Sequence, residues 1–95
     1  MVEKSIVESV RDYLRTVRAN GVDVAFGVIF GSYAQGKADT MSDIDVLVVS
    51  SRFDGGRDRN DINLLWRIAA RSDNRIEPVP CGEKQWRDDD SSAII

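Results

Sequence analysis

Two acids separated by a single residue, Asp43 and Asp45, stand at the head of an apolar run that continues as Val46-Leu47-Val48-Val49. On an extended strand, residues i and i+2 project from the same face, so these carboxylates emerge together, roughly 7 Å apart at their Cα atoms. Like charges placed side by side in apolar surroundings must be neutralised, either by a proton or by a cation. Hard oxygen donors select Mg²⁺, with Mn²⁺ as the alternative. Upstream, Gly31 and Ser32 follow a second apolar run, residues 22–30. Glycine allows a bulky anion close to the backbone, and a helix start offers unpaired N–H groups to phosphate, to which the Ser32 hydroxyl adds a donor. A phosphate cradle beside a paired-carboxylate metal site is the equipment of phosphoryl or nucleotidyl transfer.

A third acid, Glu77, lies between Ile76 and Pro78 in the otherwise apolar stretch 75–79. If that stretch runs beside residues 43–49, Glu77 joins the aspartates as a metal ligand or accepts the proton of an attacking hydroxyl. The competing reading is an exposed glutamate on an edge strand.

Several elements must hold these groups in place. Residues 3–19 carry Ile6, Val7, Val10, Tyr13, Leu14 and Val17 on one helical stripe, opposite Glu3, Glu8, Arg11, Asp12, Arg15 and Arg18. Asn20-Gly21 supplies a left-handed stop. Residues 23–30 read as a strand apolar on both faces, which predicts a central position in the sheet. Gly27 within it marks a close approach, a bulge or a small core residue. Residues 32–35 form a helical turn ending at Gly36, and a polar loop leads into a strand over 43–49. Residues 50–60, with Gly55-Gly56 at their centre, read as a mobile polar loop. A helix over about 58–71 buries Ile62, Leu65, Trp66 and Ala69, with Ile68 beside them, and is capped by Asp58 or Asn60. Residues 75–79 form a short strand that Pro78 and Pro80 confine to an edge or end early. The tail, about 84–95, is acidic and weakly patterned; Trp86 pins it to the body, and Ser91 or Ser92 starts a helix cut short by the chain end. The fold class is α/β (α+β): one domain spanning residues 1–95, a small mixed sheet of three to four strands with helices packed against it.

Composition narrows the function further. The formal charge of −3 and pI of about 4.8 give no global basic field for nucleic acid. Arg52, Arg57 and Arg59 form a local basic cluster of the kind usually found in a solvated loop. The single cysteine, Cys81, excludes an intrachain disulfide and fits a reducing cytoplasm. The start of the chain is charged and amphipathic, unlike a signal peptide, and no apolar run is long enough to span a membrane. The chain contains no histidine, which removes Ser-His-Asp and Cys-His catalysis and His-based zinc sites.

Gly31-Ser32, ten residues, then Asp43-Ile44-Asp45 resembles the GS-x10-DxD signature of the DNA polymerase beta-like nucleotidyltransferases. The element order from the first helix through residue 79 is similar to the minimal nucleotidyltransferases of bacteria and archaea. The resemblance implies that an NTP, ATP foremost, binds with Mg²⁺, that a hydroxyl attacks the α-phosphorus, and that pyrophosphate leaves. It implies Asp43 and Asp45 as the metal-binding pair, Gly31 and Ser32 as the triphosphate turn, and Glu77 at the third acid, where relatives often carry aspartate. Tyr33 and Gln35 depart from the pattern, which often has arginine after the alanine at 34.

Minimal nucleotidyltransferases commonly accompany a helical HEPN-domain protein in toxin–antitoxin-like pairs. The resemblance thus implies a helical partner protein, or a homo-oligomer mate, that completes the site. It points to AMP transfer onto that partner, while the charge balance points to no direct nucleic-acid partner. Transfer to a small molecule, a non-catalytic masking module and a nucleotide sensor are the alternatives.

Overall fold

The computed structural model describes residues 4–31, 43–56 and 58–88. Helix α1 (Lys4–Ala19) buries Ile6, Val10, Tyr13, Leu14 and Val17, the expected stripe without Val7, which is half-buried. Its end is a Schellman motif. Gly21, at φ +97°, donates its N–H to the Arg18 carbonyl, and Val22 donates to Val17. Val22 and Val17 are both buried, so the apolar contact that accompanies such caps is in place.

Three strands form one mixed sheet in the order β1 (Val24–Phe30), β2 (Ile44–Ser50), β3 (Ile76–Cys81). β1 runs antiparallel to β2, and β3 parallel to it. The central strand is therefore β2, and β1 lies at an edge, contrary to the expectation from its composition. β1 is largely half-buried or exposed, with Val24 its one buried residue. Its irregularity is not at Gly27 but at Ala25, an extra residue between the Val24–Ser50 and Phe26–Val49 pairs. Gly27 marks a close approach instead: a Cβ there would press on Leu14 Cδ1 of α1 at 2.6 Å. β3 occupies the other edge, as its prolines require. Pro78 and Pro80 are two apart, so their missing donors fall on one side of the strand, away from β2.

Opposed residues share a face, so the register sorts the sheet. Ile44, Val46 and Val48, with Ile76, are buried against α1 and helix α2 (Arg59–Ser72), in one core with Tyr13, Leu65, Ile68 and Ala69. The Tyr13 hydroxyl donates to the Leu65 carbonyl at 3.0 Å and ties the two helices together, and burial pushes the phenol well above its ordinary pKa.

Asp58 caps α2 by accepting from the Asn60 N–H at 2.8 Å. The buried arc of α2 is Asp61, Leu65, Ile68 and Ala69, while Trp66, expected inside, is 46% exposed. The helix is turned so that Asp61 accepts from Arg52 Nε at 2.9 Å. Arg52 also donates to the Gly21 carbonyl, so this member of the basic cluster is engaged rather than free in a loop. Arg59 is exposed and Arg57 lies outside the described residues.

The stretch read as a polar loop holds a 3₁₀ turn, Ser51–Phe53, whose Phe53 is buried. Asp54 then reaches across the chain to accept from the Lys84 N–H at 2.9 Å, capping helix α3 (Glu83–Asp88). That helix lies within what reads as a weakly patterned tail. Trp86 does pin it, packing edge-on against Phe26 with ring centroids 5.4 Å apart. Among the described residues, no helix is long and apolar enough to cross a membrane. The turn at 32–36 and the helix start at Ser91 or Ser92 fall outside the described residues.

Candidate functional site

The face of the sheet opposite the helical core carries the acids. Phe30 of β1 opposes Asp45 of β2, and Asp45 opposes Glu77 of β3, so one row crosses all three strands. Asp43 immediately precedes β2 and is exposed; Asp45 and Glu77 are half-buried. Along this face the row is followed by Val28, Leu47 and Val79, all half-buried, and then by Phe26, Val49 and Cys81 beside α3. The acids thus stand at the end of the face that α3 leaves uncovered.

Burial pushes the Glu77 carboxyl above its ordinary range. The charge of Asp43, a hydrogen-bonding contact with Asp45 and the charge of Asp45 act in the same direction. The ion pairs Arg15–Asp12, Arg52–Asp61 and Arg75–Asp73 do not include any of the three acids.

Gly31 completes the described part of the site. Its φ of +75° falls in the left-handed region, and a Cβ there would collide with Asp45 Oδ2. The chain leaving β1 therefore passes directly over the carboxylate, which only glycine permits. Ser32, the other expected phosphate contact, and the departures Tyr33 and Gln35 lie outside the described residues.

The donor chemistry fits a hard divalent cation. Among the described residues, no three His, Cys, Asp or Glu side chains are already gathered as ligands of one ion. Mg²⁺ needs only one or two protein carboxylates, its shell being completed by substrate phosphates and water. Asp43 and Asp45 could supply the carboxylates, with Glu77 alongside.

Sequence reasoning passed over Phe30. The residue is 38% exposed at the end of the acid row. Its place directly before Gly31 was the available signal. Two hollows lie away from the acids: one of about 160 Å³ lined by Phe26, Val49 and Trp86, and a groove of about 390 Å³ between α1 and β1.

Comparison with known proteins bears on the family and the fold. The model of the family described as "nucleotidyltransferase domain" matches residues 7–79, from α1 into β3. A crystal structure of a protein from Sulfolobus solfataricus, proposed to be a nucleotidyltransferase, superposes with a TM-score of 0.62. That likeness, at 22% identity over 90% of this chain and 80% of the other, is one of fold. Comparison with curated protein sequences gives no match.

Proposed function

The chain belongs to the nucleotidyltransferase domain family, and we propose that it transfers AMP from ATP to a hydroxyl on a partner protein, as the antitoxin of a HEPN-type pair. The observation that carries this reading is the row Phe30–Asp45–Glu77, with Gly31 folded over Asp45.

In this reading Asp43 and Asp45 hold Mg²⁺, or Mn²⁺ in its place. When bound, the ion balances the carboxylates and draws charge from the triphosphate. Gly31 keeps the backbone clear for the triphosphate, and Ser32 donates its hydroxyl to it. Glu77 takes the proton of the acceptor hydroxyl, a role its raised pKa strengthens relative to an ordinary glutamate. The acceptor oxygen bonds to the α-phosphorus, the bond from that phosphorus to the α–β bridging oxygen breaks, and pyrophosphate leaves. The part of this face that α3 leaves open among the described residues suits an acceptor presented by another protein.

The test is direct. α-Labelled ATP, Mg²⁺ and the protein of the adjacent reading frame are incubated with the chain, and label is sought on that protein. Label lost in Asp43→Asn is the expected result. Equal partner binding by wild type and Asp43→Asn, with no label in either, would instead identify a masking module. Label on a small-molecule hydroxyl acceptor but not on the protein would redirect the substrate class.

A further inference from the structure

Among the described residues the sheet has two unpaired edges, and their chemistry differs. An unpaired edge invites other chains, and proteins blunt it with proline, charge or a covering element. β3 has Pro78 and Pro80. β1 reads Val-Ala-Phe-Gly-Val-Ile-Phe, seven residues without a proline or a charge, and Ala25, Phe26 and Phe30 are exposed.

Beside this strand, α1 supplies an unusual wall. Arg11, Arg15 and Arg18 line the groove of about 390 Å³ whose other side is Ala25, Phe26 and Gly27. Arg11 has no ion pair or hydrogen bond among the described residues. Arg15 pairs with Asp12, but the side chains are 76% and 71% exposed, so the pair is weak and easily exchanged. Arg18 donates from Nε to the Val24 carbonyl at 3.0 Å, which fixes the groove's near end and leaves its other N–H groups available. A row of guanidiniums is the more notable in a chain of net charge −3.

We propose that the groove between α1 and β1 receives an extended acidic segment of a partner protein. The segment adds to the β1 edge as a further strand and turns its carboxylates toward Arg11 and Arg15. Backbone pairing supplies affinity, and the arginines supply selection for acidic side chains. A second copy of this chain fits poorly, because two-fold pairing of β1 with itself brings the two arginine rows together. A nucleic-acid backbone would engage the arginines but leave the edge amides unpaired. Phe26 is four residues from Phe30, about 13 Å by strand rise, so the groove stands apart from the acid row. The inference therefore does not depend on nucleotidyl transfer.

The experiment is fluorescence anisotropy on the full chain with labelled synthetic peptides. One alternates Glu and Val, a second has the same sequence with alternate backbone nitrogens methylated, and a third replaces Glu with Lys. The Glu peptide is expected to bind and to slow hydrogen exchange in β1. Arg11→Glu with Arg15→Glu should weaken it about tenfold, the worth of one good charge-assisted contact. Arg11→Gln with Arg15→Gln should weaken it less, and circular dichroism should show both variants folded, since both side chains are exposed. The methylated and Lys peptides should not bind. Equal binding of the methylated peptide, tighter binding of a single-stranded oligonucleotide, or self-association protecting β1 without peptide would each overturn the proposal.

Discussion

Along β2, neighbouring side chains enter two different worlds. Ile44, Val46 and Val48 are wholly buried beneath α1 and α2. Asp45 and Leu47, interleaved with them, face the side that α3 covers only at its far end. One side of the strand is core throughout, while the other carries charge at the Asp45 end and buried Val49 at the end beside α3. The alternation of a β-strand lets a seven-residue segment do both without compromise. Asp45, on a strand anchored by three fully buried neighbours, and Glu77, on the strand paired with it, cannot drift apart to relieve their repulsion. That is the condition under which a cation becomes the cheapest neutraliser.

This division can be broken by paired substitutions at adjacent positions. Asp45→Asn should lower nucleotidyl transfer by about a thousandfold, equivalent to about 4 kcal/mol of lost charge stabilisation, while leaving the melting temperature unchanged or raised. Ile44→Ala, one residue away, should destabilise the fold by about 2–5 kcal/mol in denaturant unfolding. Its activity should survive wherever the protein remains folded. If both variants lost stability alike, the two faces would not be separable.

Gly31→Ala sharpens the same contrast with a smaller effect. The left-handed conformation alone costs about 1–2 kcal/mol with a Cβ present. The added methyl also displaces the Asp45 carboxylate, so activity should fall further than stability. Gly21→Ala is the control: its φ is also positive, but nothing stands within 4 Å of a Cβ there, so stability should fall without a specific loss of transfer.

The subtlest effect lies in pH. Glu77 has a raised pKa in the folded chain, so the native state holds its proton more tightly than the unfolded state does. Its contribution to stability is present below the ordinary glutamate pKa and is lost as pH rises through the raised value. Without divalent cation, wild type should lose stability across that window in thermal melts at stepped pH, and Glu77→Gln should show a flatter profile. Mg²⁺ should reduce the slope in wild type.

Much of this was legible in the residues, for identifiable reasons. The strand around Asp45 betrays itself by apolar alternation around two acids, and the Asn20-Gly21 stop is local chemistry that tertiary structure had no cause to override. β1 was misplaced because composition reports whether a strand's faces are covered, and says nothing of its lateral neighbours. An edge strand with α1 on one face and Trp86 on part of the other reads like a central one. Trp66 was assigned inward because its period matched the stripe. The arc that is buried instead runs through Leu65, Ile68 and Ala69 and includes Asp61, which Arg52, nine residues away in sequence, holds. α3 escaped notice because its cap is Asp54, thirty residues upstream. The adjacency of Glu77 to Asp45 was conditional on strand order, which only the parallel pairing of β2 and β3 establishes.

The central claim is that Asp43 and Asp45 share a cation, and the most direct measurement is anomalous scattering from crystals grown with Mn²⁺ and a non-hydrolysable ATP analogue. The account predicts a manganese ion bonded to an oxygen of each aspartate, with the triphosphate passing over Gly31. Well-ordered aspartates with no ion between them, and nucleotide absent from the Gly31 turn, would contradict it.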